Sequence, residues 1–143
     1  MTQAHDWRGA VRVVRGTSLA EAMRGPGKGR ATALDFGAPG ERGIWIGTVT
    51  QAPASKTGKH HHGRHEAALY VARGEAEIRW GERLEFAANV GPGDFVYFAP
   101  FVPHQEYNRH PSEPVEFVVI RTDNERIAVA LDGEIAELPE LVP

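Results

Sequence analysis

The sequence predicts an all-β fold, a closed barrel or a sandwich of short strands, and three observations carry that prediction. The apolar residues fall in runs of four to eight, rich in β-branched and aromatic types. The segments between the runs are turn chemistry, and 16 Gly and 10 Pro punctuate the chain. Several runs alternate with a period of two, as Ala76, Ile78 and Trp80 do against Glu75, Glu77 and Arg79, which is the pattern of a half-buried strand.

Taken in order, "VRVVR" near the N-terminus reads as a short strand. "SLAEAMRGPGKG" offers one helical turn before Gly25, Pro26 and Gly27 end it. Strands are then expected in "ATALDF", "GIWIGTVT", "AALYVARG", "EAEIRWG", "DFVYFAPF", "VEFVVIRT" and "RIAVAL". The stretches "GAPGERG", "APASKTGK", "WGERLEFAANVGPGD" and "NRHPSEP" read as turns, and the closing "GEIAELPELVP" as a turn and a tail. Closing such strands into a barrel removes exposed sheet edges and leaves an interior able to hold one small ligand.

Composition narrows the function classes. At 143 residues the chain fits one domain with a single substantial core. Sixteen Lys plus Arg against 19 Asp plus Glu leave a net charge of −3, which is no footprint for nucleic acid or an anionic membrane surface. No apolar run approaches the roughly 18 residues that span a bilayer, and "MTQAHDWRGAVRVV" lacks a signal-type apolar stretch, so a cytoplasmic protein is expected. There is no Cys, which removes disulfides, thiolate nucleophiles and Cys-type zinc sites together. No Gly-x-Ser-x-Gly elbow occurs either, so covalent catalysis by Ser or Cys is not expected. "GPGKG" lacks the spacing of a phosphate loop and reads as a flexible connection.

Four of the seven histidines lie in "KHHHGRHE", residues 59–66. On an extended strand, residues two apart face the same way, roughly 6.6 Å apart. His60 and His62 form the single His-x-His pair and can converge on one ion, with His61 on the opposite face. Glu66 follows after three residues and would add a carboxylate. Alone, such a cluster is equally a solvent loop. Downstream, "GPGDFVYFAPFVPHQEYN" supplies a turn, an apolar strand, a second turn and then His104, which a hairpin can bring opposite His60 and His62.

These two segments resemble the paired motifs of the cupin superfamily, the small β-barrels that include germins and many single-domain bacterial proteins. His60, His62, Glu66 and Gly74 match the first motif in outline. Gly93, "DFVYF", Ala99-Pro100-Phe101, Val102-Pro103, His104 and Asn108 follow the spacing of the second. The resemblance implies a single cupin barrel, a double-stranded β-helix or jelly roll with little helix. It covers residues 44–122, with 1–43 as N-terminal strands and arm packing on the barrel and 123–143 as a C-terminal strand and tail of the same domain. It also implies a divalent transition metal, iron favoured over Mn, Zn, Ni, Co or Cu, held by His60, His62, Glu66 and His104. A small-molecule ligand or substrate and a homodimer are the implied partners.

Four positions depart from the family pattern. The Gly that opens the first motif is Ala54, and seven residues rather than six separate Glu66 from Gly74. Counted back from Gly74, the carboxylate position is Ala67. Either a bulge near Gly63 turns Glu66 inward, or the site has three histidines and an open position. In the second motif the turn Pro and Gly are Ala99 and Phe101. Phe101 cannot take the φ > 0 conformations that Gly takes cheaply, so this turn is expected to differ in detail.

Among the other candidates, His65 reads as a surface residue beside a carboxylate, with a substitute ligand as the alternative. Glu106 has the chemistry of a general base, and its alternative is a solvated strand residue. Glu106 or Tyr70 would handle protons. His5 and His110 lie in loop-like segments and receive no role; Tyr107 and Asn108 are placed to fix the turn after the ligand strand. The resulting expectation is a metal-dependent oxygenase acting on a small organic molecule. The alternatives are a redox-neutral isomerase, cyclase or lyase, and a non-catalytic ligand- or metal-binding barrel.

Overall fold

The computed structural model describes residues 6–8, 10–11, 13–17, 30–34, 43–122 and 127–143. Its regular structure is nearly all β: β1 (Arg30–Leu34), β2 (Ile44–Gln51), β3 (Ser55–Lys56), β4 (His60–His61), β5 (Ala67–Arg73) and β6 (Ala76–Trp80) are followed by β7 (Phe86–Val90), β8 (Phe95–Phe98), β9 (His104–Asn108), β10 (Val115–Thr122), β11 (Val129–Ala130) and β12 (Glu140–Leu141). They form a five-stranded sheet in the order β1-β2-β10-β5-β8 and a seven-stranded sheet in the order β11-β4-β9-β6-β7-β12, with β3 also paired to β9. Every pairing is antiparallel except that of β12 with β7. The all-β expectation holds.

Alternation builds the five-stranded sheet. β10 buries Val115, Phe117, Val119 and Arg121 and turns Glu116, Val118 and Ile120 to the outer face. β5 buries Ala67, Leu69 and Val71 in the same rhythm. Because side chains repeat every two residues, the pairing of β10 with β5 and β2 puts these inward residues on one wall. They meet Ile78 and Ala76 of the opposite sheet, with Trp45 and Phe98, in one core. Each large apolar side chain so buried contributes about 1.5–3 kcal/mol.

Gly74 closes β5 and turns the chain into β6. Its φ is +81°, and a Cβ there would lie 2.5 Å from the Pro114 carbonyl oxygen, so both conformation and space require glycine.

Several local expectations need correction. Val11, Val13 and Val14 of "VRVVR" are exposed and form no strand. The helical turn expected at 18–29, like His5, lies outside the described residues. "EFAANV" belongs to a stretch read as turn, yet Phe86–Val90 pairs along its whole length with β6. Its Ala and Asn residues carry little β preference, and the neighbouring strand decides the matter. The C-terminal segment is also more than a tail. Ala136 is buried, and its carbonyl accepts a 2.7 Å hydrogen bond from Arg79 Nη2, while β12 adds to β7. Arg79, itself buried, also donates through Nε and Nη2 to the Leu84 carbonyl. No helix among the described residues is long and apolar enough to cross a membrane.

Candidate metal centre

His60 lies directly opposite His104 where β4 pairs with β9. His62 follows β4 at the start of a turn, two residues on and therefore on the same side. One ligand atom from each of His60, His62 and His104 lies within 4.8 Å of the others. The ring centroids are 5.0 Å apart for His60 and His62, 4.3 Å for His60 and His104, and 5.1 Å for His62 and His104.

The other ring nitrogen of each histidine fixes its tautomer. His60 Nδ1 lies 2.7 Å from the Gly58 carbonyl oxygen, His62 Nδ1 2.9 Å from that of Ile127, and His104 Nδ1 3.0 Å from that of Val102. A carbonyl accepts only, so all three Nδ1 atoms carry a proton, and in the neutral form of each ring it is Nε2 that keeps the lone pair. Backbone carbonyls orienting imidazoles in this way are what metal-ligating histidines use. His104 Nε2 is buried and finds no hydrogen-bond partner among the described residues. A buried, orphaned lone pair beside two more is costly without a ligand and fits a divalent ion that prefers imidazole.

Burial favours the neutral form of two of the three rings, His62 and His104. Burial pushes the His62 imidazolium pKa down to about 3, helped by the charge of Arg121 and only partly opposed by the Ile127 carbonyl. Burial also lowers that of His104, against the pull of the Glu106 carboxylate. Neutral imidazoles are the metal-binding form.

The histidines sit in a cavity of about 280 Å³ between the sheets. Phe98 stacks on the His104 ring with centroids 4.2 Å apart, and Leu69, Phe117 and Val119 supply further apolar wall. Glu106, two residues beyond His104 on β9, also lines the cavity. Its Oε1 is 3.6 Å from His104 Nε2, and its Oε2 accepts a 2.9 Å hydrogen bond from Thr57 Oγ1. Thr57 Oγ1 in turn accepts from the Glu106 amide, so the hydroxyl clamps this carboxylate at backbone and tip.

Glu66 does not join the histidines. It is exposed, and its carboxylate accepts a hydrogen bond from Tyr97 Oη on the outer surface. No bulge turns it inward: Ala67 is the buried residue that lines the cavity, and strand alternation sends its neighbour outward. The same alternation places Tyr70 on the outer face of β5, against Phe95, where it cannot serve the cavity. His65 is almost wholly buried rather than superficial, and it lies outside the three-histidine group. His61 faces away, accepting from the Gly63 amide and packing edge-on against Phe101. Phe101 corrects a further expectation. It does adopt φ of 62°, the region Gly would favour, as its amide donates to the Gly63 carbonyl at 2.7 Å. Ala54 likewise holds φ of 51° where the motif has Gly. His110 is a turn acceptor for the amides of Ser112 and Glu113. Asn108, fully buried, donates to the carbonyls of Gln51, Ala52 and Glu113 and anchors the end of β9.

Sequence reasoning missed Thr57 and Arg121. Thr57 carries no signal on its own. Arg121 did have one, since it occupies the fourth inward position of "VEFVVIRT" after Val115, Phe117 and Val119.

The comparisons agree with this architecture. A protein of Klebsiella pneumoniae with a double-stranded β-helix domain is 19% identical, with 80% of this chain and 95% of that one covered and a TM-score of 0.64. A cupin 2 domain-containing protein from Halorhodospira halophila is 25% identical, covering 73% of this chain and 69% of that one at a TM-score of 0.61. The polyketide cyclase RemF of Streptomyces resistomycificus is 21% identical, with 77% and 73% covered and a TM-score of 0.60. No curated protein matches the chain. The cupin domain family itself matches residues 47–121, more than half of the sequence and the whole of the histidine-bearing region. The chain belongs to the cupin family.

Proposed function

We propose that this cupin is a metal-dependent enzyme of the oxygenase type, in which His60, His62 and His104 hold one divalent transition metal, iron foremost, beside a small organic substrate. The observation that carries the reading is the convergence of His60, His62 and His104, one ring nitrogen of each within 4.8 Å of the others, with His104 Nε2 buried and without a hydrogen-bond partner among the described residues. Ala67 stands at the inward position where a carboxylate would otherwise approach, so the three imidazoles are the ligands and Glu106 is the carboxylate beside them. An ion held there supplies Lewis acidity and, as iron, one-electron chemistry with dioxygen.

The chain's own residues prepare the substrate. Phe98, Leu69, Phe117 and Val119 give it a dry apolar wall and exclude water. Glu106 is the group that accepts or returns a proton, at the Oε1 atom facing His104, while Thr57 holds the opposite oxygen. The placement of that carboxylate also favours a second reading, a redox-neutral isomerase, cyclase or lyase, in which proton transfer is the whole reaction.

Metal analysis of untagged protein tests the centre: one ion per chain is expected, and His62→Ala should lose it with the fold intact. Full occupancy in that variant would refute the assignment. Oxygen consumption then separates the two chemistries, because turnover that persists without dioxygen excludes the oxygenase reading.

A further inference from the structure

Two buried side-chain amides stand where β2 and β9 end, and the fold treats them differently. Asn108 is paired at both of its polar atoms: Nδ2 donates to the carbonyls of Gln51, Ala52 and Glu113, and Oδ1 accepts from the His110 amide at 3.0 Å. Gln51, 9% exposed, is paired at one only. Its Nε2 donates to the Ser55 carbonyl at 3.2 Å and to the Glu106 carbonyl at 3.0 Å. Its Oε1 is buried and accepts from no donor among the described residues. Carbonyls accept only, so the nitrogen is the atom that faces them and the orientation of the amide is fixed. The two bonds explain the nitrogen, as a brace between strands. They leave the oxygen unexplained.

Gln51 is also part of the cavity. Strand alternation puts it on the face of β2 that carries Val49 and the buried Trp45, and both Gln51 and Val49 line the space beside the three histidines. The bond to the Glu106 carbonyl ties the amide to β9, the strand that carries His104. The apolar lining, Val49, Leu69, Phe117 and Val119, has no donor to give the oxygen. A buried acceptor left unpaired is costly, and a ligand that brings its own donor removes the cost. One orphaned amide oxygen matches the single O–H of an alcohol, whereas an ammonium group brings three N–H donors to a neutral acceptor.

We propose that Gln51 is a specificity-determining residue of this cavity, its Oε1 accepting a hydrogen bond from a hydroxyl of the substrate, and that the substrate is a small alcohol with an apolar body. That body lies against Leu69, Phe98 and Phe117. The proposal deepens the metal-dependent reading and rests on it for the reaction, although recognition of the hydroxyl does not itself require the ion.

The test titrates the metal-free full chain by calorimetry with two sets of probes that share a skeleton: cyclohexanol, cyclohexanone and cyclohexylamine, and 1-phenylethanol, acetophenone and 1-phenylethylamine. Each ketone keeps an acceptor and lacks the donor. Gln51→Leu is titrated alongside, and zinc stoichiometry is measured separately on both proteins. The wild type is expected to bind at least one alcohol about fivefold or more tighter than its ketone, and no more weakly than its amine. Gln51→Leu should erase the preference for alcohol over ketone and still take up one zinc per chain. A role as brace alone would lower stability and leave the ratio of the two affinities unchanged. The proposal is overturned if neither alcohol outbinds its ketone in the wild type, if each amine outbinds its alcohol, or if Gln51→Leu keeps the alcohol preference. Should Gln51→Leu fail to fold, Gln51→Met, closer in shape and equally without the acceptor, takes its place, and the wild-type comparison stands by itself. Failure of the metal reading looks different: no stoichiometric zinc, with the alcohol preference intact in the metal-free protein.

Discussion

The two sheets of this barrel are built on different principles. The five-stranded sheet is nearly regular: its long strands β5 and β10 alternate over most of their length, register shifts are confined to Thr32/Leu34 and Glu116/Phe117, and the inward residues of β2, β5 and β10 share one wall. The seven-stranded sheet is broken where the histidines sit. β4 is two residues long, His62 lies beyond its end, and the imidazoles are aimed by loop and strand-end carbonyls at Gly58, Ile127 and Val102. Regular pairing buries surface efficiently but points every second side chain along one normal. Convergence of three rings on one point needs the local bends that irregular strands allow. The regular wall therefore carries stability and shape, and the irregular one carries the lone pairs.

That division can be broken from either side. Phe117→Ala in the regular wall is expected to cost the most, about 3–5 kcal/mol of stability measured by urea unfolding, because its large ring is buried in the core and its loss enlarges the void beside it. Metal stoichiometry should not change. His104→Ala should do the reverse, weakening metal affinity by at least about a hundredfold, beyond what loss of an outer partner costs. Its circular dichroism should remain that of the wild type. If both variants lose metal and stability alike, the two walls do not divide their roles as described.

Acid sharpens the contrast further. In the metal-free protein the His62 pKa stands at about 3, against 6.5 for the free side chain, so between those values the unfolded chain binds the extra proton. Stability is therefore full above about pH 6.5 and falls as the pH drops toward 3, with a slope of at most about 1.4 kcal/mol per pH unit from this group. His104, lowered as well, adds to the same sense. Unfolding midpoints at pH 7.5 and 5.0 measure it, and His62→Gln should flatten the dependence.

Two smaller effects complete the series. Ala54→Gly, which relieves a left-handed alanine at φ 51°, is expected to stabilise by up to about 1 kcal/mol in thermal unfolding. Glu66→Gln should change neither metal content nor stability by more than about 0.5 kcal/mol, since its hydrogen bond with Tyr97 is on the surface. A clear loss of metal in that variant would return Glu66 to the site.

The strands that read most clearly were those whose neighbours merely reinforce their own pattern. "VEFVVIRT" and "AALYVARG" declare themselves as strands by their β-branched and aromatic content, and the two-residue spacing of the His-x-His pair puts both rings on one face. β7 did not read as a strand because Ala87, Ala88 and Asn89 have weak preference, and only pairing with β6 makes them one. His65 carries no mark of burial in a run of polar residues. Phe101 kept the backbone conformation expected of a glycine because its amide is held by Gly63, a contact between residues far apart in the chain.

From residue types and spacing alone came the β class, the absence of thiol chemistry and the nomination of His60, His62 and His104. Those depend on what each side chain is and on a two-residue period. Which carboxylate faces inward, and that an arginine stands across from the imidazoles, were decided only by the folded chain. A register slip of one residue exchanges inside for outside, and no local pattern sets the register of strands that meet across fifty residues. Glu66 and Ala67 are neighbours in sequence, and pairing with β10 sends one to solvent and the other to the cavity.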